Sequence, residues 1–258
     1  MRTAKPELEV LREAGLWVRR VGEHFFPDPD YDPGAPPNWE KWLGRAAKYL
    51  RDAEDYWFHV YKPRLGDVIV DIGAGRGEDV YAFSKAAGPE GTVWAVEAHP
   101  ISFSALELFC RLNGLANVNC VHMAATAEPQ ILQIETLPVW ESNYLRTGDP
   151  SLTSHTVEGR PFDDYAAEHG IGRIDFIKMN IEGAERWALP GMRECMKRAR
   201  FACISAHDFR ARRGDGEEFR TRAFVERFMR ECGFQLLSRD DDPRYYVPDH
   251  IHGYRGSN

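Results

Sequence analysis

Between Ile69 and Val80 the chain reads IVDIGAGRGEDV: an apolar run holding Asp71, then glycines at alternate positions (Gly73, Gly75, Gly77), then Glu78 and Asp79. A strand that stops at a glycine turn and opens a helix aims backbone N–H groups and the positive helix end at a ligand. The acids restrict which ligand fits. A dinucleotide fingerprint needs a glycine where Glu78 stands, and a phosphate loop needs a Gly-Lys-Ser/Thr ending that is absent. Glu78 and Asp79 would repel a pyrophosphate. The spacing therefore selects a nucleotide with a cationic or zwitterionic end.

S-adenosylmethionine has such an end, because its ammonium can be accepted by Asp71 or a loop carbonyl and its sulfonium is positive. A second apolar run, VWAVEAHP, ends at Glu97 and Ala98, where a carboxylate can accept both ribose hydroxyls. The end of a third run, Met123 and Ala124, would border the adenine. The bland alternative makes Glu97 a solvated acid and the glycines a simple tight turn.

A third stretch, IDFIKMNIEGAERWAL, alternates so that Lys178, Asn180 and Glu182 leave a strand end on one side while Ile177, Met179 and Ile181 point to the other. Polar groups then converge at the carboxyl edge of the sheet, where open α/β sheets bind ligands. The following run ends in SAHDF, with His207 and Asp208. Lys178, Glu182 and His207 form the candidate catalytic set, with His207 as a general base titrating near neutrality. Asn180, Glu182 and Asp208 could instead make an oxygen-rich magnesium site. A hydrogen-bonded His207–Asp208 pair without chemistry, and helix-start acids at Glu182 and Glu185, are the plainer readings.

These residues need a frame. From Asp67 onward, strand-length apolar runs (DVIVDIG, TVWAVEA, VNCVHMAA, IDFIKMNI, RFACISAHD) alternate with helical segments (GEDVYAFSKAAG, ISFSALELFCRLNGL, FDDYAAEHG, WALPGMRECMKRA). That order predicts a mostly parallel α/β sheet covered by helices. An insertion over 131–157 carries ILQIETLPVW, whose alternation suggests an antiparallel hairpin. EEFRTRAFVERFMRECGF reads as a further helix, with QLLSR and YYVPD as late strands. Residues 1–60 form an N-terminal extension: an amphipathic helix over 6–20, a Pro-rich loop PDPDYDPGAPPN, and an aromatic helical stretch from Trp39 to Tyr61. The domain proper is expected over 61–258.

These stretches resemble the FkbM-type S-adenosylmethionine-dependent methyltransferases. The resemblance runs from about Asp67 to about Phe234 and rests on VDIGAGRGE, AVEAHP, RPFDDY, and IDFIKMNIEGAE with Pro190-Gly191 following. It implies a doubly wound, Rossmann-like class I methyltransferase fold, methyl transfer, usually to a hydroxyl oxygen of a small molecule, glycan or natural product, and cofactor binding by Asp71, Gly73, Gly75 and Glu97. Ala74, Gly77, Ala98, Met123, Ala124 and Asn180 complete the expected cofactor set. The family pattern is K-x-D-x-E-G-A-E, and this chain has Asn180 at its first acid, where similar sugar-modifying enzymes use the acid to help hold a divalent cation.

The 258 residues, 43% hydrophobic and 12% aromatic, can bury a sizeable core. A net charge of −7 argues against nucleic-acid binding, which draws on clustered Lys and Arg. Five scattered cysteines without a C-x-x-C pair encode neither a disulfide framework nor a zinc site. No stretch approaches the roughly 18 apolar residues of a membrane span. A cytoplasmic enzyme acting on a small-molecule or glycan acceptor is the expectation; the N-terminal aromatics read first as packing their helix on the main domain, with a lid or a homodimer surface as the sharper alternative. The Arg cluster FRARRGDGEEFRTR reads as a solvated segment with its own acidic partners, and His250 and His252 in DHIHG as solvent-exposed side chains rather than a metal pair or an acceptor contact. A non-catalytic S-adenosylmethionine-binding protein and a nicotinamide-dependent oxidoreductase are the rival readings, the second disfavoured by Glu78.

Overall fold

The structure, a computed structural model, describes residues 7–35, 38–136 and 153–256. Its centre is a seven-stranded sheet of β4 (Val68–Ile72), β5 (Thr92–Glu97), β6 (Val118–His122), β10 (Phe176–Met179), β11 (Phe201–Ser205), β12 (Gln235–Leu237) and β13 (His250–Tyr254), in the order β12-β13-β11-β10-β4-β5-β6. The runs predicted as strands at 67–73, 92–98, 118–125, 174–181 and 200–208 all carry strands of the sheet. Their backbones pair in parallel, β4 with both β5 and β10, while β13 runs antiparallel between β11 and β12. Parallel strands covered on both faces read as continuous apolar runs, and Ile69, Val70, Phe176 and Ile177 are each 0% exposed.

Helices α2 (Glu78–Ala87), α3 (Pro100–Leu112) and α4 (Phe162–Glu168) follow their strands as the spacing predicts. The segment 187–199 is broken instead into α5 (Glu185–Ala188), a 3-10 turn over Leu189–Met192 and α6 (Arg193–Arg198). Pro190 lies inside that turn, where it can supply no helical N–H. A Cβ on Gly191 would overlap the Thr126 carbonyl oxygen, so this glycine lets the turn sit against the strand end of the neighbouring sheet. That sheet, β7-β9-β8, is built by β7 (Ala124–Ala125), β8 (Gln130–Glu135) and β9 (Ser154–Arg160), with β8 and β9 antiparallel. The antiparallel pair expected in the insertion is therefore formed by its two ends; residues 137–152 lie outside the described residues.

Three expectations are corrected. Residues 6–20 are not a helix: β1 (Leu8–Glu13), β2 (Leu16–Val21) and β3 (His24–Pro27) form an antiparallel sheet. Ala14 and Gly15, both at positive φ (49° and 81°), make the two-residue reversal that joins β1 and β2. Residues 245–249 are not a strand: Val247–Asp249 is a 3-10 turn, and the strand is the next stretch, HIHGY. Its histidines are correspondingly not surface groups, His250 being 6% and His252 1% exposed.

The aromatic stretch carries a 3-10 turn at Trp39–Lys41 and α1 (Arg45–Tyr56). Its rings turn inward. Trp42, Tyr49, Trp57, Phe58 and Tyr61 are 2–8% exposed and share one apolar cluster with Ile69, Val80, Phe83 and Phe109. Tyr61 stacks on Phe176 with centroids 4.5 Å apart. These rings pack the N-terminal segment onto the main sheet and its helices, the plainer of the readings the sequence offered.

Candidate active site

The Gly73 turn is fixed from two sides. Gly73 and Ala74 donate their N–H groups to the Val96 carbonyl at 2.9 and 3.0 Å, which ties the turn to the end of β5. Gly73 has φ +81°, and a Cβ there would overlap the carbonyl oxygen of Asn180 on the other side. Gly77, at φ +102°, lies so close to α3 that a Cβ would come within 2.6 Å of the Phe109 ring. The alternate glycines therefore serve a left-handed backbone and two close approaches.

Glu97, at the end of β5, is held by backbone: Oε2 accepts the Gly75 N–H at 2.8 Å and Oε1 the His99 N–H at 2.8 Å. Burial pushes its carboxyl up to about 7, against the pull of those two N–H groups. The Gly73 turn, Glu97 and the sheet edge open on a cavity of about 330 Å³. Gly73, Ala74, Gly75, Glu97, Ala98, Met123, Ala124 and Asn180 all line it, so the structure brings eight of the ten expected cofactor residues to one wall system. The Asn180 Oδ1 atom is buried there without a hydrogen-bond partner.

Asp71 and Gly77 are not on that wall. Asp71 is 0% exposed and sits behind Lys178, whose Nζ lies 2.8 Å from Asp71 Oδ1, 3.2 Å from Asp79 Oδ2, and donates to the Gly73 carbonyl at 2.8 Å. Burial raises the Asp71 carboxyl to about 6 although Lys178 opposes the shift. Burial also acts against the charge on Lys178, but Asp71 and Asp79 outweigh it and raise its pKa. Lys178 is therefore a fixed cation that ties β10 to the turn, with three oxygens close around its Nζ. It lines the cavity as a structural bridge.

Glu182 reaches the same cavity from the turn after β10, with φ +53°, an uncommon conformation for a residue with a Cβ. Gly183 follows at φ +97° against the Phe219 ring. The Glu182 carboxylate lies 2.7 Å from Arg210 Nη1 and 3.3 Å from His207 Nε2, and these cations hold its carboxyl below the ordinary value although burial acts the other way.

His207 is 1% exposed and is not among the residues that line the cavity. Its Nδ1 faces Glu185 Oε1 at 2.9 Å, and Glu185 is itself fully buried. Burial alone would lower its pKa, but the two glutamates raise it to about 10. An imidazole that keeps both protons at neutral pH has no lone pair to offer, so the general-base role expected of His207 is not supported. The arrangement is a buried Glu185–His207–Glu182–Arg210 chain of alternating charge.

Asp208 is elsewhere: Oδ1 accepts the Arg222 N–H at 2.8 Å, at the start of α8 (Arg222–Glu231). The expected magnesium set of Asn180, Glu182 and Asp208 is not assembled. Among the described residues no group of three or more His, Cys, Asp or Glu side chains is placed to hold a metal ion. Glu182 already faces two cations, which disfavours a third. The arginines after it have acidic partners, Arg212 on Asp249, Arg213 on Asp215 and Arg220 on Glu217, as the sequence suggested for this cluster.

Sequence reasoning missed the outer wall. Arg45, Lys48, Tyr49 and Asp52, one face of α1, line the cavity with Glu78 and Asp79. Arg45 donates to the Tyr49 hydroxyl at 2.7 Å and lies 3.8 Å from Glu78, while Lys48 pairs with Asp52. The i, i+3, i+4 and i+7 spacing of these four residues was the available signal, obscured by the aromatic load of the same stretch.

The Methyltransferase FkbM domain matches residues 71–236, well over half of the chain. The chain belongs to the FkbM methyltransferase family. With it comes the family's S-adenosylmethionine-dependent methyltransferase fold. Among solved structures, Methyltransferase FkbM from Methylobacillus flagellatus KT superposes with a TM-score of 0.52 at 17% identity, over 85% of this chain and 55% of that one. The chain thus spans about half the length of that neighbour. A SAM-dependent methyltransferase from Aquifex aeolicus gives 0.47 at 17% identity, over 87% of this chain and 97% of that one. Among curated proteins the chain matches none. No helix of the described residues is long and apolar enough to cross a membrane.

Proposed function

We propose that this FkbM-family chain transfers the methyl group of S-adenosylmethionine to a hydroxyl oxygen of a small molecule or glycan. The observation that carries the reading is the continuity of one cavity from the Gly73 turn and Glu97, through Asn180, to the Glu182 carboxylate and the α1 wall. The first half has the groups a nucleoside with an amino-acid end requires. The second half offers an oxygen acceptor beside them.

When bound, S-adenosylmethionine supplies an electrophilic methyl on a positive sulfur. The chain supplies alignment. Glu97 accepts the ribose hydroxyls, and Met123 and Ala124 border the base. Glu182, kept anionic by His207 and Arg210, accepts the hydrogen bond of the acceptor hydroxyl and orients its oxygen along the line of displacement. The hydroxyl proton would pass to Glu182 as the acceptor oxygen takes the methyl group and the methyl–sulfur bond breaks, the sulfur leaving as a neutral thioether. No nucleophilic intermediate is required, and no magnesium step is assigned.

Methyl-labelled S-adenosylmethionine incubated with the protein and pooled small polyols, phenols and oligosaccharides tests this. The expected product carries the label as an alkali-stable ether. Label found only in amines or in alkali-labile esters, or nowhere, would overturn the hydroxyl assignment.

A further inference from the structure

Resting on the cofactor reading above, we infer that Asp79, not Asp71, is the carboxylate that meets the ammonium of the cofactor's amino-acid end, and that Trp57 of the N-terminal segment holds it there. The argument begins with access. Asp71 is fully buried behind Lys178 and does not line the cavity, whereas Asp79 does, with 23% of its side chain exposed.

The other carboxylates on the wall have other partners in the reading above. Glu97, held by two backbone N–H groups, takes the ribose hydroxyls. Glu182, between Arg210 and His207, takes the acceptor hydroxyl. Asp52 pairs with Lys48, and Glu78 lies beside Arg45. Asp79 is the carboxylate that shares a cation with the glycine turn, since Lys178 Nζ donates to the Gly73 carbonyl at 2.8 Å and lies 3.2 Å from Asp79 Oδ2.

Lys178 has three N–H donors and three oxygen neighbours, Asp71, Asp79 and the Gly73 carbonyl. It faces two carboxylates with one positive charge, which leaves one negative charge at the cavity for a ligand cation to balance.

Trp57 fixes the geometry. Its Nε1 donates to Asp79 Oδ1 at 2.8 Å, its ring lies 5.2 Å from Lys178 Nζ, and it is 4% exposed. Each Asp79 oxygen thus has one protein partner and retains lone-pair capacity. The buried tryptophan is the link by which the N-terminal segment shapes the cofactor end of the site, acting as a positioning residue.

Calorimetry with two probes tests the assignment. S-adenosylhomocysteine carries the ammonium; 5′-methylthioadenosine carries the same adenosine and thioether without the amino-acid end. Asp79→Asn should weaken S-adenosylhomocysteine on the order of 10- to 100-fold, the usual worth of a charge-assisted hydrogen bond, and leave 5′-methylthioadenosine within about twofold. Trp57→Phe should act in the same selective direction, more weakly. Equal loss of both probes in both variants would make Asp79 a support of the pocket and overturn the inference, as would an unchanged S-adenosylhomocysteine affinity. Wild-type protein that binds neither probe would instead overturn the cofactor reading itself.

Discussion

His207 Nε2 and Glu182 Oε1 lie 3.3 Å apart, and the other ring nitrogen of His207 lies 2.9 Å from Glu185 Oε1, so one buried imidazolium joins both glutamates of the EGAE segment. The pair links a residue inside the core to a carboxylate in the cavity. It explains how Glu182 keeps its left-handed backbone and its charge at the same point.

The histidine should therefore titrate far from neutrality. Its folded pKa, about 10, lies above the ordinary value near 6.5. A group raised on folding contributes stability that is complete below about pH 6.5 and disappears as pH rises toward 10. Imidazole resonances of labelled protein should show His207 doubly protonated at pH 8. His207→Gln, which leaves the fully buried Glu185 facing a neutral group while Glu182 keeps Arg210, should cost about 3 kcal/mol or more in denaturant unfolding.

Glu97 gives the opposite kind of signature. Its raised carboxyl, about 7, must ionise to accept two ribose hydroxyls. Binding of S-adenosylhomocysteine should tighten as pH rises from 5.5 and level off above 7. Glu97→Gln should bind more weakly and with little slope over the same range, which calorimetry at a series of pH values would read directly.

Gly73 is the position where backbone geometry can be tested alone. At φ +81°, with the Asn180 carbonyl where a Cβ would go, Gly73→Ala should both lower stability, by about 2 kcal/mol or more, and abolish cofactor binding. Gly170, also at positive φ but with open space around it, should tolerate alanine at a cost of about 1 kcal/mol and leave binding unchanged. Melting curves and calorimetry on the two variants separate local strain from loss of the site.

His250 and His252 should make the protein acid-sensitive. Burial lowers their pKa values to about 4 and about 3. The unfolded chain then binds more protons, so their contribution is complete above about pH 6.5 and is lost as pH falls below it. His252→Asn should flatten the fall in melting temperature between pH 6.5 and 4.5.

The central sheet was legible because parallel strands buried on both faces leave apolar runs such as IVDI and DFIKM that few other structures explain. The N-terminal sheet was not. Leu8, Leu11 and Leu16 mimic helical spacing, and the reversal at Ala14–Gly15 lacks the usual Asn-Gly sign. HIHGY hid for another reason: its histidines are polar by type, yet burial holds them neutral between β11 and β12.

In the site, the glycine turn and Glu97 were readable because backbone geometry and ribose chemistry demand those residue types. Which of Asp71 and Asp79 faces the cavity was not, because it depends on where the Lys178 side chain lies between them. His207 misled for a related reason. Its chemistry depends on Glu182 and Glu185, which arrive from another strand end and trap the proton that a base would need to shed.

The most direct measurement is calorimetric titration of the wild-type protein and of Glu97→Ala with S-adenosylhomocysteine at pH 7.5. The account predicts micromolar binding to the wild type and at least a tenfold loss in the variant, the scale of one charge-assisted hydrogen-bonded contact. No binding to the wild type, or equal binding to both, would contradict the assignment of this cavity to the methyl donor.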